Sequence, residues 1–137
     1  MTNPIEIQAI VNNTIDKVWE SWTEPKHIMQ WNQASPEWHC PSASNDLKVG
    51  GEYSARMEAK DRSFGFDLNA TYTDVRTNHY LASTLEDDRK VRVSFKELEN
   101  GVLIIQKFEA ESQNPREMQQ NGWQAILNSF KSYTENL

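Results

Sequence analysis

Nucleophilic and metal chemistry draws first on histidine and cysteine, and this chain has three histidines, His27, His39 and His79, and one cysteine, Cys40. His39 and Cys40 are adjacent, which invites a base and nucleophile reading. Neighbours in an extended segment point to opposite sides, however, so the pair cannot easily cooperate. The histidines are widely spaced and no CxxC or HExxH pattern occurs, so no metal site is expected. Cys40 reads as a small buried hydrophobe. His39 reads either as a hydrogen-bonding group on a pocket wall or as a structural loop histidine. Glu109 and Glu111, two apart at the end of the last strand, share a face on which one pKa could be raised for general acid work, unless both simply meet solvent. Arg56 and Asp67 read as a cross-strand ion pair on an outer face, worth well under ~1 kcal/mol if exposed. No catalytic constellation follows from these residues, and no cofactor.

The tryptophans carry the stronger signal. Trp19 and Trp22, at helical spacing, are core positions, whereas Trp31, Trp38 and Trp123 are the candidates for lining a cavity, with plain core packing as the alternative. Trp31 to Gly51 reads as one long non-periodic connection, and an ordered loop of that length must repay its conformational entropy by closing over a cavity or a partner.

The elements that must position these residues follow from periodicity. Ile5, Ile7, Ala9 and Val11 alternate as in a half-buried strand. Thr14 caps a short helix with Ile15, Val18, Trp19 and Trp22 on one face, and Pro25 opens a second that reaches about Met29. Tyr53, Ala55, Met57 and Ala59 alternate with polar residues, as do Phe66, Leu68, Ala70 and Tyr72, giving two antiparallel strands. Tyr80–Leu85 and the Val91, Val93, Phe95 run supply two more, and Asn100-Gly101 turns into a strand from Val102 to Glu109. Asn114 as cap and Pro115 at the first helical position open a long helix with Met118, Gly122, Ile126, Phe130 and Tyr133 facing inward. Gly122 in mid-helix costs roughly 1 kcal/mol against alanine, which predicts a close approach of helix to sheet.

At 137 residues the chain is of one-domain size, and 37% hydrophobic content with 25% charged residues is globular rather than disordered. A formal charge of −6 without a basic stripe excludes a nucleic-acid backbone as partner. With a single cysteine no intrachain disulfide can form, and the opening residues MTNPIEIQ lack the basic and apolar regions of a leader, so a cytoplasmic protein is expected. No apolar run is long enough for membrane insertion.

Several segments carry a resemblance: IDKVWESWTEPKHIMQW, WHCP ahead of NDLKVGG, VGGEY, FGFDLNATYTDV and, near the end, GWQAILNSF. In this order they resemble the START-like (SRPBCC) superfamily, and within it the homologues of the activator of the ninety-kilodalton heat-shock protein's ATPase, in their small bacterial single-domain branch. One departure is Ala70, where the family usually has glycine. The resemblance implies an α+β helix-grip fold, a curved antiparallel sheet wrapped around a long C-terminal helix with two short helices after the first strand. The walls of the enclosed gap are then expected from Trp31, Trp38, His39, Tyr53, Met57, Phe66, Leu68, Trp123 and Phe130. START-like domains bind lipids, sterols, polyketides or plant hormones, some relatives are cyclases or hydratases, and the eukaryotic namesake docks on a chaperone. Non-enzymatic binding of a small hydrophobic or amphipathic ligand is therefore the leading expectation. A chaperone-docking module comes second and a cyclase or hydrolase last. An exposed edge strand leaves homodimer pairing open.

Overall fold

Seven strands form one antiparallel sheet in the order β1-β7-β6-β5-β4-β3-β2 in a computed structural model that describes residues 1–137. The strands are β1 (Ile5–Val11), β2 (Trp38–Asn45), β3 (Glu52–Ala59), β4 (Gly65–Arg76), β5 (Tyr80–Leu85), β6 (Lys90–Leu98) and β7 (Gly101–Phe108), and the helices α1 (Ile15–Thr23), α2 (Pro25–Trp31) and α3 (Arg116–Glu135). From β2 to β7 each strand pairs with its successor, and β1 closes against β7. Alternation chooses the inward face: Ile5, Ile7 and Val11 on β1, Val91, Val93 and Phe95 on β6, and Val102, Ile104 and Phe108 on β7 are all buried. This is the expected α+β helix-grip architecture.

The two short helices break where the chain demands it. Thr14 Oγ1 accepts the Lys17 N–H at 3.2 Å and caps α1. The ring of Pro25 disfavours helical backbone at the residue before it, and Glu24 is extended with φ −84° and ψ 129°, so α1 stops and α2 starts with Pro25 in its first turn. Val18 and Trp19 of α1 and Ile28 and Trp31 of α2 are thereby buried over the sheet.

Four expectations are corrected. The stretch from Trp31 to Gly51 is not one loop, because Trp38–Asn45 is the edge strand β2, paired with β3. Its register shifts between His39 and Ser42, and this irregularity, with Pro41 inside it, erases the alternation that would have marked a strand. The cap of α3 sits at Pro115, without a side-chain bond, rather than at Asn114. Instead the Glu111 carboxylate accepts the N–H groups of Gln113 and Asn114 at 3.1 and 2.7 Å, and the buried Gln119 amide donates to the carbonyls of Glu111 and Asn114. The inward face is partly the expected one, since Phe130 is buried and Ile126 reaches the sheet side, but the first turn differs. Met118 is 61% exposed, and Gln119, Leu127, Phe130 and Thr134 turn inward. A methyl group on Gly122 would meet nothing within 4 Å, so no close approach explains that glycine.

The glycine pair of the VGGEY motif does have a structural task. A Cβ on Gly51 would lie 2.0 Å from the Asp46 carbonyl oxygen, so the turn into β3 admits no side chain there. Gly50 N–H donates to Tyr72 O and Tyr72 N–H donates to Gly51 O, extending the β3–β4 ladder to Tyr72.

Candidate functional site

Between the concave face of the sheet and the three helices lies a cavity of about 130 Å³, walled by 17 residues of which 14 are hydrophobic. The sheet supplies Tyr53 and Met57 from β3, Leu68, Ala70 and Tyr72 from β4, Leu81, Ser83 and Leu85 from β5, Val91 and Val93 from β6 and Gln106 from β7. The helical side is Trp22, Trp31, Trp123, Ile126 and Leu127, with Asn32 just past α2. Five of the nine wall positions expected from the sequence, Trp31, Tyr53, Met57, Leu68 and Trp123, meet here.

The other four lie elsewhere. Phe130 is fully buried behind the wall, edge-on to Trp22 at 4.8 Å and to Trp31 at 5.0 Å, and it supports the aromatic surface instead of forming it. Trp38 and Phe66 sit at the far end of the β3–β4 hairpin, where they make an aromatic cluster with Phe64 at centroid separations of 6.0 to 6.1 Å. Phe66 follows the same alternation as Leu68, yet it is 41% exposed and turns to the cluster with Trp38 and Phe64, while its register partner Met57 is buried at the cavity wall. His39 is exposed on the edge strand while Cys40 beside it is buried, as extended geometry requires. Burial raises the Cys40 thiol pKa, with the Asn32 side chain and the Ser42 carbonyl acting weakly the other way.

Wall residues missed by the sequence reading fall into two groups. Trp22, assigned there to the core, stacks on Trp31 at 5.3 Å and 28° and presents a face to the cavity. The indole N–H of Trp31 is satisfied by the Ser21 carbonyl at 2.8 Å, so that ring offers the cavity apolar surface. Trp123 lies flat on Phe108 at 4.0 Å and 9°, which fixes its plane at the sheet side. The second group is polar. Gln106 follows Val102 and Ile104 on the inward face of β7, and its legible signal is a glutamine standing in an apolar alternating series. Ser83 takes the corresponding place between Leu81 and Leu85 on β5.

A hydrogen-bonded polar corner completes the wall. Asn32, only 4% exposed, donates from Nδ2 to Tyr53 Oη at 3.4 Å. Tyr72 Oη donates to Asn45 Oδ1 at 2.8 Å, and Asn45 Nδ2 donates to the Thr23 carbonyl at 2.7 Å, tying β4 to β2 and to the end of α1. Burial pushes the Tyr72 phenol up to about 12 and Tyr53 well above the ordinary tyrosine range, so both are neutral hydrogen-bonding groups at physiological pH.

The candidate acids lie outside the cavity. Glu109 accepts the Lys90 N–H at 2.7 Å, and that bond holds its carboxyl below the usual range. Partial desolvation pulls Glu111 up, but the Asn114 and Gln113 N–H donors outweigh it and its pKa also ends low. Depressed values are the reverse of what general acid work needs, so the raised-pKa reading is overturned. Arg56 and Asp67 are directly opposite in the β3–β4 register, 3.5 Å apart and exposed to solvent, as the outer-face reading expects. Glu20, Glu24 and His27 offer atoms within 4.8 Å of one another, a proximity that the spacing of the histidines did not suggest. The two carboxylates are paired with Lys17 and Lys26, and His27 Nδ1 meets Tyr133 Oη at 2.6 Å.

Residues 12–135 match the family model described as Activator of Hsp90 ATPase homolog 1-like protein. The chain belongs to that family. It is similar to an AHSA1-like protein of Aeromonas hydrophila, known from a solution NMR structure, at 39% identity and a TM-score of 0.91 over 97% of this chain and 92% of that one. A Cytophaga hutchinsonii protein, also solved in solution, shares 53% identity with a TM-score of 0.84, covering 98% and 93% of the two chains. A Nitrosomonas europaea protein at 14% identity and a TM-score of 0.82, over 97% of this chain and 94% of that one, shares the fold. Nothing matches among curated proteins. No helix is long and apolar enough to cross a membrane.

Proposed function

We propose that this chain binds a small apolar ligand in the cavity between the sheet and α3, without transforming it. The observation that carries the reading is the wall itself: 14 of 17 residues are hydrophobic and none is a carboxylate, an imidazole, a thiol or a base. Such a wall binds by burial of apolar area, at about 25 cal/mol per Å², and orients its guest through a few polar groups. It offers no nucleophile other than hydroxyls, and no general base beside them. The test is a titration with iodobenzene, whose heavy atom quenches indole fluorescence on contact with Trp22, Trp31 or Trp123. Saturable quenching that is lost when Ala70→Phe fills the cavity supports the reading. Linear quenching, equal in both proteins, overturns it.

A second reading rests on a different observation. Exposed Phe64 and Phe66 form an aromatic patch with the half-buried Trp38, Phe64 being 61% accessible, and clustered exposed aromatics mark protein-docking surfaces. The family's name makes a chaperone of the ninety-kilodalton heat-shock class the partner to test. Capture of that chaperone by the native chain and not by a Trp38→Ser, Phe64→Ser variant supports docking, and equal capture by both removes the patch from consideration.

A further inference from the structure

The cavity's size and its lack of charge restrict what it can hold, an inference that rests on the ligand-binding reading above. Its volume of about 130 Å³ is well below the roughly 300–1,000 Å³ of pockets for drug-sized molecules. It is close to the roughly 150 Å³ of an engineered apolar cavity that holds one benzene molecule. Enlargement is opposed from behind, since Phe130 and Phe108 are fully buried and back the rings of Trp22, Trp31 and Trp123. A charged guest would be stripped of water against a wall holding no Asp, Glu, Lys, Arg or His.

The cavity's polar groups are the Tyr53 and Tyr72 hydroxyls, the Asn32 amide, the Ser83 hydroxyl and the Gln106 amide, and the tyrosine corner is the part held in place by other polar side chains, Asn32 and Asn45. The Tyr72 proton is committed to Asn45. Tyr53 Oη accepts from Asn32, but its own proton has no acceptor within the chain. Burial holds the Tyr53 phenol protonated far above neutral pH, so the donor is present under all ordinary conditions.

We propose that the cavity selects neutral molecules of about one six-membered ring that carry a hydrogen-bond-accepting oxygen, with the Tyr53 hydroxyl as the donor to that oxygen. Larger lipids and sterols do not fit within this volume, and ring-sized anions lose their water against the same wall.

Amide-resolved NMR titrations with phenol, toluene, benzoate and 1-dodecanol test this on the native chain and on Tyr53→Phe. The expected result is saturable shifts at Leu68, Val93 and Gln106 with phenol and toluene, and none with benzoate or dodecanol. Phenol should bind more tightly than toluene by about 2- to 12-fold, the worth of one neutral hydrogen bond, and Tyr53→Phe should abolish that preference. Toluene binding that survives in Tyr53→Phe shows that the variant is folded. Dodecanol or benzoate binding as tightly as phenol overturns the selectivity while leaving the ligand-binding reading standing. Equal affinity for phenol and toluene in the native chain overturns the assignment to Tyr53. If none of the four compounds shifts the cavity residues, both readings fall.

Discussion

Two glycine substitutions with opposite expected signs test whether the helix and the VGG turn are placed correctly. Gly122 lies inside α3 with open space where a Cβ would go, so Gly122→Ala incurs no clash and recovers the helix-propensity deficit of glycine, about 0.8–1.0 kcal/mol. With a urea dependence of roughly 1–3 kcal/mol per molar for a small domain, the unfolding midpoint should rise by about 0.3–1 M at unchanged slope. Gly51→Ala should do the reverse, because its methyl would lie 2.0 Å from a backbone oxygen and the turn must shift to admit it. That strain is of the ~1–3 kcal/mol class, and the midpoint should fall by at least a few tenths molar. Both follow from urea denaturation monitored by tryptophan fluorescence. A lowered midpoint for Gly122→Ala would mean that α3 does approach the sheet at that turn, as the sequence pattern alone suggests, and would refute the helix orientation described above.

Phe130→Ala should cost about 3–5 kcal/mol in the same assay, since the side chain is fully buried and edge-on to two tryptophans. Tyr72→Phe leaves Asn45 Oδ1 without its donor and should cost about 1–3 kcal/mol. Arg56→Ala breaks an exposed cross-strand pair and should move stability by less than about 1 kcal/mol. The Glu111 carboxyl is depressed below its ordinary 4.5 in the folded chain, so its contribution is present above that pH and is lost as pH falls through the lower folded value. Acid titration of Glu111→Gln, followed by circular dichroism, should therefore show a shallower loss of stability below pH 4.5 than the native chain.

Much of the fold is legible because its elements obey clean local rules. Thr14 and Pro25 fix the two short helices, alternation marks β1, β3, β6 and β4 as far as Tyr72, where a register shift follows, and the Asn100-Gly101 turn marks the start of β7. Strand β2 is hidden because its irregularity around Cys40 and Pro41 breaks the period-two signal, and because its partner lies across a turn rather than within its own pattern. The face of α3 is read correctly at Ile126 and Phe130 and misjudged at its first turn, where Gln119, held by bonds with Glu111 and Asn114 that apolar spacing does not encode, turns inward in place of Met118.

The candidate site is half legible for a related reason. Aromatic and apolar residues in alternating strands announce an inward face, which placed Tyr53, Met57 and Leu68. Alternation does not say which of two register partners meets the cavity, so Phe66 and Trp38 read as wall positions although they cluster with Phe64 and leave Met57 at the wall. The polar wall groups are hard to read because a serine or glutamine in a strand is ordinarily solvent-facing, and only the neighbours of Gln106 at Val102 and Ile104 reveal which way it points.

The most direct test of the central claim is native mass spectrometry of the chain purified from its own host, followed by denaturing release of any bound compound. A stoichiometric neutral adduct about the size of one ring, absent from the Ala70→Phe variant, is the predicted result. A clean unliganded mass from both proteins, with the heat-shock chaperone co-purifying through the Trp38, Phe64 and Phe66 patch, would contradict it.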